Sequence, residues 1–378
     1  MKYVIAIDSF KGSLSSLEAG SSAKDGILAA DKTASVTVLP IADGGEGTME
    51  ALIFDGGKLH TVEATFPDGT RHPSAFGITR DGTAVIETAA AAGLPVTPLD
   101  KRDPMHTTTF GVGEQIADAL NQGCRRFIIG LGGCATNDGG AGMLQALGAK
   151  MTDENGADIP FGCAGLGKLR HIELAGLHPA LQESTFMIAC DVTNPLCGSL
   201  GCSAVFSPQK GAKPADIPVM DGYLAAYANL VKTVIPDADP DYPGSGAAGG
   251  LGFAFRTFLG GTLTSGIDLV MTQTRMEDII RTADIVITGE GRLDAQTVMG
   301  KAPSGVAKCA KKYGIPVIAL AGSVTKDAVK CNENGIDAYF PVLRRIMALE
   351  EAMEKETAKE NIACTAEQVA RLIGTVRR

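Results

Sequence analysis

The sequence predicts an α/β protein of two domains. One is a doubly wound, Rossmann-like parallel-sheet domain built from both chain ends. The other is an inserted α/β domain with a mixed sheet. Three observations carry this expectation. Two strand–loop–helix units stand in tandem at the N-terminus, and the same rhythm returns after residue 284. Between them, closely spaced turn signals over about 60–90 mark an antiparallel meander. The 378 residues suffice for two or three domains, at roughly 150 residues each. The boundaries are placed at 1–58 with 275–378 for the doubly wound domain and 59–274 for the insert.

Each element has a local reason. Tyr3 to Ile7 is an apolar run of strand length, and Ser15-Ser16-Leu17-Glu18 matches a capping box, predicting a helix to about Ala29. A second strand over Ser35–Leu39 leads through a glycine-rich loop into a helix. The turns Pro67-Asp68-Gly69 and Arg80-Asp81-Gly82, flanked by alternating apolar residues, give the meander. A helix over 110–121 and strands at 126–130 and 186–190 follow, within a stretch rich in Gly and Pro. The C-terminal part reads as strands at 284–288, 316–320 and 337–342, with helices at 301–313 and 325–334 and a charged helical tail.

Composition excludes several functions. Forty-three acidic against 34 basic residues give a net charge of −9, which opposes nucleic acid and anionic membrane surfaces as partners. No apolar run approaches the ~20 residues that cross a bilayer, and the N-terminal apolar run meets Asp8 at once, unlike a secretory signal. The nine cysteines are scattered without a CxxC pair, so neither a disulfide framework nor a zinc site is expected, and a reducing cytoplasm fits. None of the five histidines has the spacing of a catalytic triad or a metal site.

Ligands of an open parallel sheet bind beyond the carboxyl ends of its strands. Five such loops combine small residues with carboxylates. They carry Asp8, Ser9 and Lys11; Asp43 and Glu46; Gly132, Gly133, Thr136, Asn137, Asp138 and Gly139; Asp191; and Glu290, Arg292 and Asp294. Any one of them could be ordinary turn chemistry. Together they carry the parts of phosphoryl transfer. Bare amides cradle an anion, carboxylates hold Mg²⁺ against its phosphates, and Lys11, Arg292, Lys301 and Lys210 supply positive charge. Competing motifs are weaker. Gly162 to Leu169 nearly matches a P-loop but has Leu169 where a hydroxyl is needed, and it reads as a turn. Gly130-x-Gly132-x-x-Ala135 resembles a dinucleotide fingerprint, yet poor helix formers follow it. The stretch 245–252, with Gly249 and Gly250, fits a phosphate cradle or a domain-junction linker equally. Thr107 to Thr109 read as N-cap residues of the helix at 110.

At these loops the chain resembles the bacterial glycerate kinase family. The matching stretches are Ile5–Ser13, Pro40–Thr48, Gly130–Gly140, Ala189–Leu196, Gly246–Gly250 and Thr288–Asp294, in the family's order over nearly the whole chain. Cys134 stands where Ser is expected, a change between two small residues. The resemblance implies ATP-dependent phosphorylation of D-glycerate to 2-phosphoglycerate, with Mg²⁺ and a cleft between two α/β domains. The residues supply working roles. Lys11 and Arg292 neutralise phosphate or substrate carboxylate. Asp8, Asp43 and Asp191 serve catalysis, and Glu46, Asp191 and Asp294 are metal candidates. Thr136 to Gly139, Gly132, Gly133, Gly249 and Gly250 contact the nucleotide. Small-molecule partners are thus ATP and glycerate, with a homodimer left open. Two alternatives remain: an NAD-dependent hydroxyacid dehydrogenase using the Gly130 loop, and a non-catalytic sugar-acid-binding protein.

Overall fold

The computed structural model describes residues 1–376. Its strands, in chain order, are β1 (Lys2–Ile7), β2 (Ser35–Val38), β3 (Lys58–Thr65), β4 (Arg71–Ile78), β5 (Thr83–Glu87), β6 (Arg126–Gly130), β7 (Lys150–Thr152), β8 (His171–Glu173), β9 (Thr185–Ala189), β10 (Thr262–Thr264), β11 (Ile285–Leu293), β12 (Val317–Val324) and β13 (Ala338–Pro341). The chain divides into two compact units, Met1–Asp43 with Ile267–Arg378, and Gly44–Gly266.

The first unit holds a sheet of order β13-β12-β11-β1-β2 in which every pairing is parallel. This is the doubly wound domain from both chain ends that the strand–helix rhythm predicts. The Ser15 capping box forms: Glu18 N–H donates to the Ser15 hydroxyl, and Ser15 N–H donates to the Glu18 carboxylate at 3.0 Å. The helix it starts, Ser16–Ala30, lies against the C-terminal helix Lys355–Val376. Their buried faces join Ile5, Ile7 and Ile287 of the sheet in one core. The two helices approach so closely at Gly26 that a Cβ there would sit 2.0 Å from the Ala363 carbonyl oxygen.

The second unit holds a six-stranded mixed sheet of order β10-β9-β6-β5-β4-β3. β3, β4 and β5 form the antiparallel meander, while β5, β6, β9 and β10 pair in parallel. A small antiparallel pair, β7 and β8, stands apart from it.

Four details differ from the sequence reading. The first division of the units falls at Asp43/Gly44 rather than after residue 58. The helix Thr48–Ile53 packs on β4 and β5, and a Glu87 carboxylate oxygen receives Met49 N–H at 2.8 Å, which commits that segment to the inserted unit. The second division falls at Gly266/Ile267, and 245–252 is no junction but a turn inside the second unit. β11 runs on to Leu293, so Glu290 and Arg292 sit on a strand and not in a loop, held there by pairing with β12 as far as Val324. The helix expected at 325–334 is a 3-10 turn, Lys326–Val329, followed by one helical turn, Lys330–Glu333.

Replacing Gly26 by alanine drives a methyl group into the backbone of the partner helix. The gain in helix propensity, about 1 kcal/mol, offsets only part of an overpacking cost of about 1–3 kcal/mol. Gly26→Ala is expected to lower the urea midpoint at unchanged slope, and an unchanged or higher midpoint would contradict the close approach.

Candidate active site

In the first unit, strand register builds the site. Ile7 of β1 lies opposite Gly289 of β11, so Asp8, leaving the carboxyl end of β1, stands beside Glu290, which is still on β11. Asp8 N–H donates to the Gly289 carbonyl at 2.8 Å. The Ser16 hydroxyl ties in the third segment, donating to the Ile7 carbonyl at 2.6 Å and accepting Ile41 N–H at 2.8 Å. That bridge holds the Ile41–Asp43 stretch beside the end of β1.

Asp8, Lys11, Asp43, Glu290, Arg292, Asp294 and Lys301 all line one cavity of about 490 Å³. Asp8 is only 5% exposed, and its carboxylate accepts Ser9 N–H at 2.7 Å. Burial, together with the neighbouring Asp43 charge, pushes its pKa up from the usual carboxylate range to about 7. Glu290 is also buried, which raises its pKa; it accepts from the Thr297 hydroxyl at 2.5 Å and pairs with Lys301 at 3.6 Å. Arg292 pairs with Asp294 at 3.5 Å, and Asp294 also receives Gln296 N–H. The Ser9 and Ser13 hydroxyl oxygens line the same cavity and are buried without a hydrogen-bond partner among the described residues. Buried hydroxyls without partners are rare in folded proteins, and a polar ligand would satisfy both.

The second unit carries a smaller cavity, about 160 Å³, at the carboxyl ends of β6 and β9. Gly132, Gly133, Cys134, Lys210, Ala247 and Ala248 are among its lining residues. The rest of the glycine loop serves its own fold. Asp138 is fully buried, and its carboxylate accepts from Thr109 N–H, the Thr109 hydroxyl, Gly140 N–H and Gly142 N–H. The Asn137 amide donates to the Ser203 hydroxyl. Gly139 N–H donates to the Gly249 carbonyl, and a Cβ at Gly249 would lie 2.1 Å from the Thr136 carbonyl oxygen. Gly250 packs the same way against Gly139. Thr109 is the N-cap residue of the helix Phe110–Asn121, without a side-chain cap bond, and the threonines also fasten this loop: Thr107 donates to the Ala135 carbonyl, and Thr109 both donates to Asp138 and accepts Met143 N–H.

Of the expected site residues, the first unit therefore gathers Asp8, Lys11, Asp43, Arg292 and Asp294. In the second, Gly132 and Gly133 reach the cavity, while Thr136, Asn137, Asp138, Gly139, Gly249 and Gly250 form the packed layer of the loop. Glu46 and Asp191 are exposed and line neither cavity; Asp191 accepts Gly266 N–H at 3.0 Å. The metal set Glu46, Asp191 and Asp294 is thus split between the two units, and among the described residues no His, Cys, Asp or Glu group of three or more could hold a metal ion. A Mg²⁺ bound mainly by phosphate oxygens and water needs only one or two carboxylates. The fingerprint at Gly130 lacks its helix, because the next one begins only at Ala141. The near P-loop is not a turn but a short helix, Cys163–Lys168, packed on the helix Ile217–Val234.

A glycerate kinase family model matches residues 3–374. The chain belongs to this family. It is 48% identical over 373 residues to the glycerate 2-kinase of Escherichia coli K12, covering 98% of this chain and 97% of the relative. It is 46% identical to a glycerate kinase of Bacillus subtilis, over 98% of this chain and 97% of that one. A crystal structure from Salmonella typhimurium LT2, provisionally assigned as glycerate kinase 2, superposes with a TM-score of 0.90 at 45% identity, covering 100% of this chain and 99% of that one. The family is one of phosphotransferases, and no helix among the described residues is long and apolar enough to cross a membrane.

Glu290 stands in one of the five loops singled out from the sequence but carries no assigned role there, and Glu87 is not among the expected residues. Glu87 is the last residue of β5, so the strand-end rule applied to that strand points to it, whereas Glu290 lies within β11. Glu87 caps the helix Thr48–Ile53, and burial raises its pKa.

Asp8 also makes stability depend on pH. Its folded pKa lies above its unfolded value, so the folded state holds an extra proton between them. This contribution is fully present below the unfolded pKa and is lost as pH rises through about 7. Asp8→Asn is therefore expected to be more stable than the parent at pH 8 by a few kcal/mol and about equal to it near pH 4. Denaturant unfolding at both pH values, without nucleotide or divalent ions, measures this. A variant equally or less stable at pH 8 would contradict the burial of the charge.

Proposed function

We propose that the protein transfers the γ-phosphoryl group of ATP to the 2-hydroxyl of D-glycerate, releasing ADP and 2-phosphoglycerate. The observation that carries this reading is the first unit's cavity, where Asp8, Asp43 and Glu290 meet Lys11, Arg292 and Lys301 around unpartnered serine hydroxyls. Membership of the glycerate kinase family supports the substrate and the co-substrate. The dehydrogenase alternative loses support on the fold, because the Gly130 loop lacks the helix that a dinucleotide site needs.

Asp8 acts as the proton acceptor for the attacking hydroxyl, since a carboxylate with a pKa near neutrality is matched to general base work. Asp43 is the carboxylate best placed for Mg²⁺, because a divalent cation there would relieve its repulsion with Asp8. Bound Mg²⁺ would neutralise charge on the β- and γ-phosphates. Lys11 and Arg292 orient the anionic groups of the substrates, and Lys301 holds Glu290 in place.

Phosphorus NMR on ATP, Mg²⁺ and D-glycerate should show ADP and 2-phosphoglycerate growing together. A 3-phosphoglycerate resonance would overturn the regiochemistry, and no ADP would overturn the activity. Asp8→Asn should lower kcat by about 10²-fold or more, with a smaller effect on KM, and should abolish the rising acid limb of the pH profile. Retained turnover with an unchanged limb would remove Asp8 from the role of base.

A further inference from the structure

Lys210 is 2% exposed, belongs to the second unit and lines its cavity of about 160 Å³. An ammonium has three donors. One goes to the Thr136 carbonyl at 2.6 Å, and the group forms no ion pair among the described residues. Burial pushes the Lys210 pKa down, and an anion bound beside it would favour the charged form. The cavity it lines has no carboxylate in its wall, in contrast to the acidic one of the first unit. Gly132 and Gly133 line the same cavity, and Gly133 takes a φ of 60°, the left-handed turn conformation with which consecutive amides form an anion-binding concavity. Close by in the chain, the buried hydroxyls of Thr136 and Ser207 have no hydrogen-bond partner among the described residues. Apart from the exposed Gln209, the rest of the wall, including Leu131, Val192, Phe206 and Ala247, is largely apolar and would strengthen a charge interaction by excluding water.

We infer that Lys210 and the Gly132-Gly133 amides form a metal-independent site for one oxyanion group of a substrate. A volume of about 160 Å³ admits a phosphate group or a three-carbon acid, but not a whole nucleotide. The oxyanion is therefore a phosphate of ATP or the carboxylate of glycerate. This rests on the kinase reading, which makes both substrates anionic.

The test measures the Kd of ATP and of D-glycerate separately by calorimetry, without divalent ions, on the full chain. Lys210→Gln keeps a donor for the Thr136 carbonyl and removes the charge. It should weaken one of the two ligands about tenfold or more while the other changes less than twofold, and the weakened ligand names the oxyanion. The exposed Gln209 lines the same cavity and gives a second pair that does not disturb the core. Gln209→Glu should weaken the same ligand and Gln209→Lys should not. If Lys210→Gln fails to fold, the Gln209 pair alone decides. Unchanged affinities for both ligands in all folded variants, in a parent that still forms phosphoglycerate, would overturn this site. A parent forming none would overturn the kinase reading instead.

Discussion

The parallel pairing of β1 with β11 is the constraint on which the first unit depends. It joins strands from opposite ends of the chain, Tyr3 with Ile285 through Ile7 with Gly289, so both termini must be in place before the sheet has a centre. Parallel pairing of such distant segments carries a loop-closure cost that only the surrounding burial can offset. That burial is supplied by the core of Ile5, Ile7, Ile27, Ile287 and Ile362. Once the register is set, Asp8 and Glu290 have no choice but to stand together, and the Ser16 hydroxyl brings the Asp43 segment to them. The high pKa of Asp8 follows first from its burial and then from the Asp43 charge beside it.

Glycine serves two different ends in the second unit. At Gly132 and Gly133 it leaves backbone facing an open cavity. At Gly139, Gly249 and Gly250 it lets two loops pass with backbone against backbone, where a single Cβ would collide. Asp138 completes that second arrangement by accepting four hydrogen bonds at full burial. An acidic residue flanked by glycines therefore has opposite meanings in neighbouring loops. Asp8 keeps a carboxylate at a cavity wall, whereas Asp138 consumes its lone pairs in holding the chain.

The two cavities also differ in charge, and the difference is chemical. One is lined by four carboxylates and three cationic side chains, a composition that suits a bridging cation between phosphates and acid. The other presents one ammonium and bare amides in an apolar wall, which suits an anion held directly.

Local chemistry in the sequence determined the elements and most of the first site. The capping box at Ser15, the meander turns, and the apolar runs ending in Asp8 and Gly130 are signals that neighbouring residues create and that need no distant partner. The strand-end rule then led to Asp8, Lys11, Asp43, Arg292 and Asp294 without any knowledge of register. Only the tertiary structure decided how long β11 runs, since its last residues are extended through pairing with β12 rather than by propensity. It alone assigned 44–58 to the second unit, where Glu87 and the meander hold the helix. It also left Asp138, Glu46 and Asp191 out of the lining of either cavity. The physical reason is common to all three. Where a carboxylate's lone pairs go, and whether a glycine faces a void or another backbone, depends on atoms far away in the chain, and composition carries no record of them.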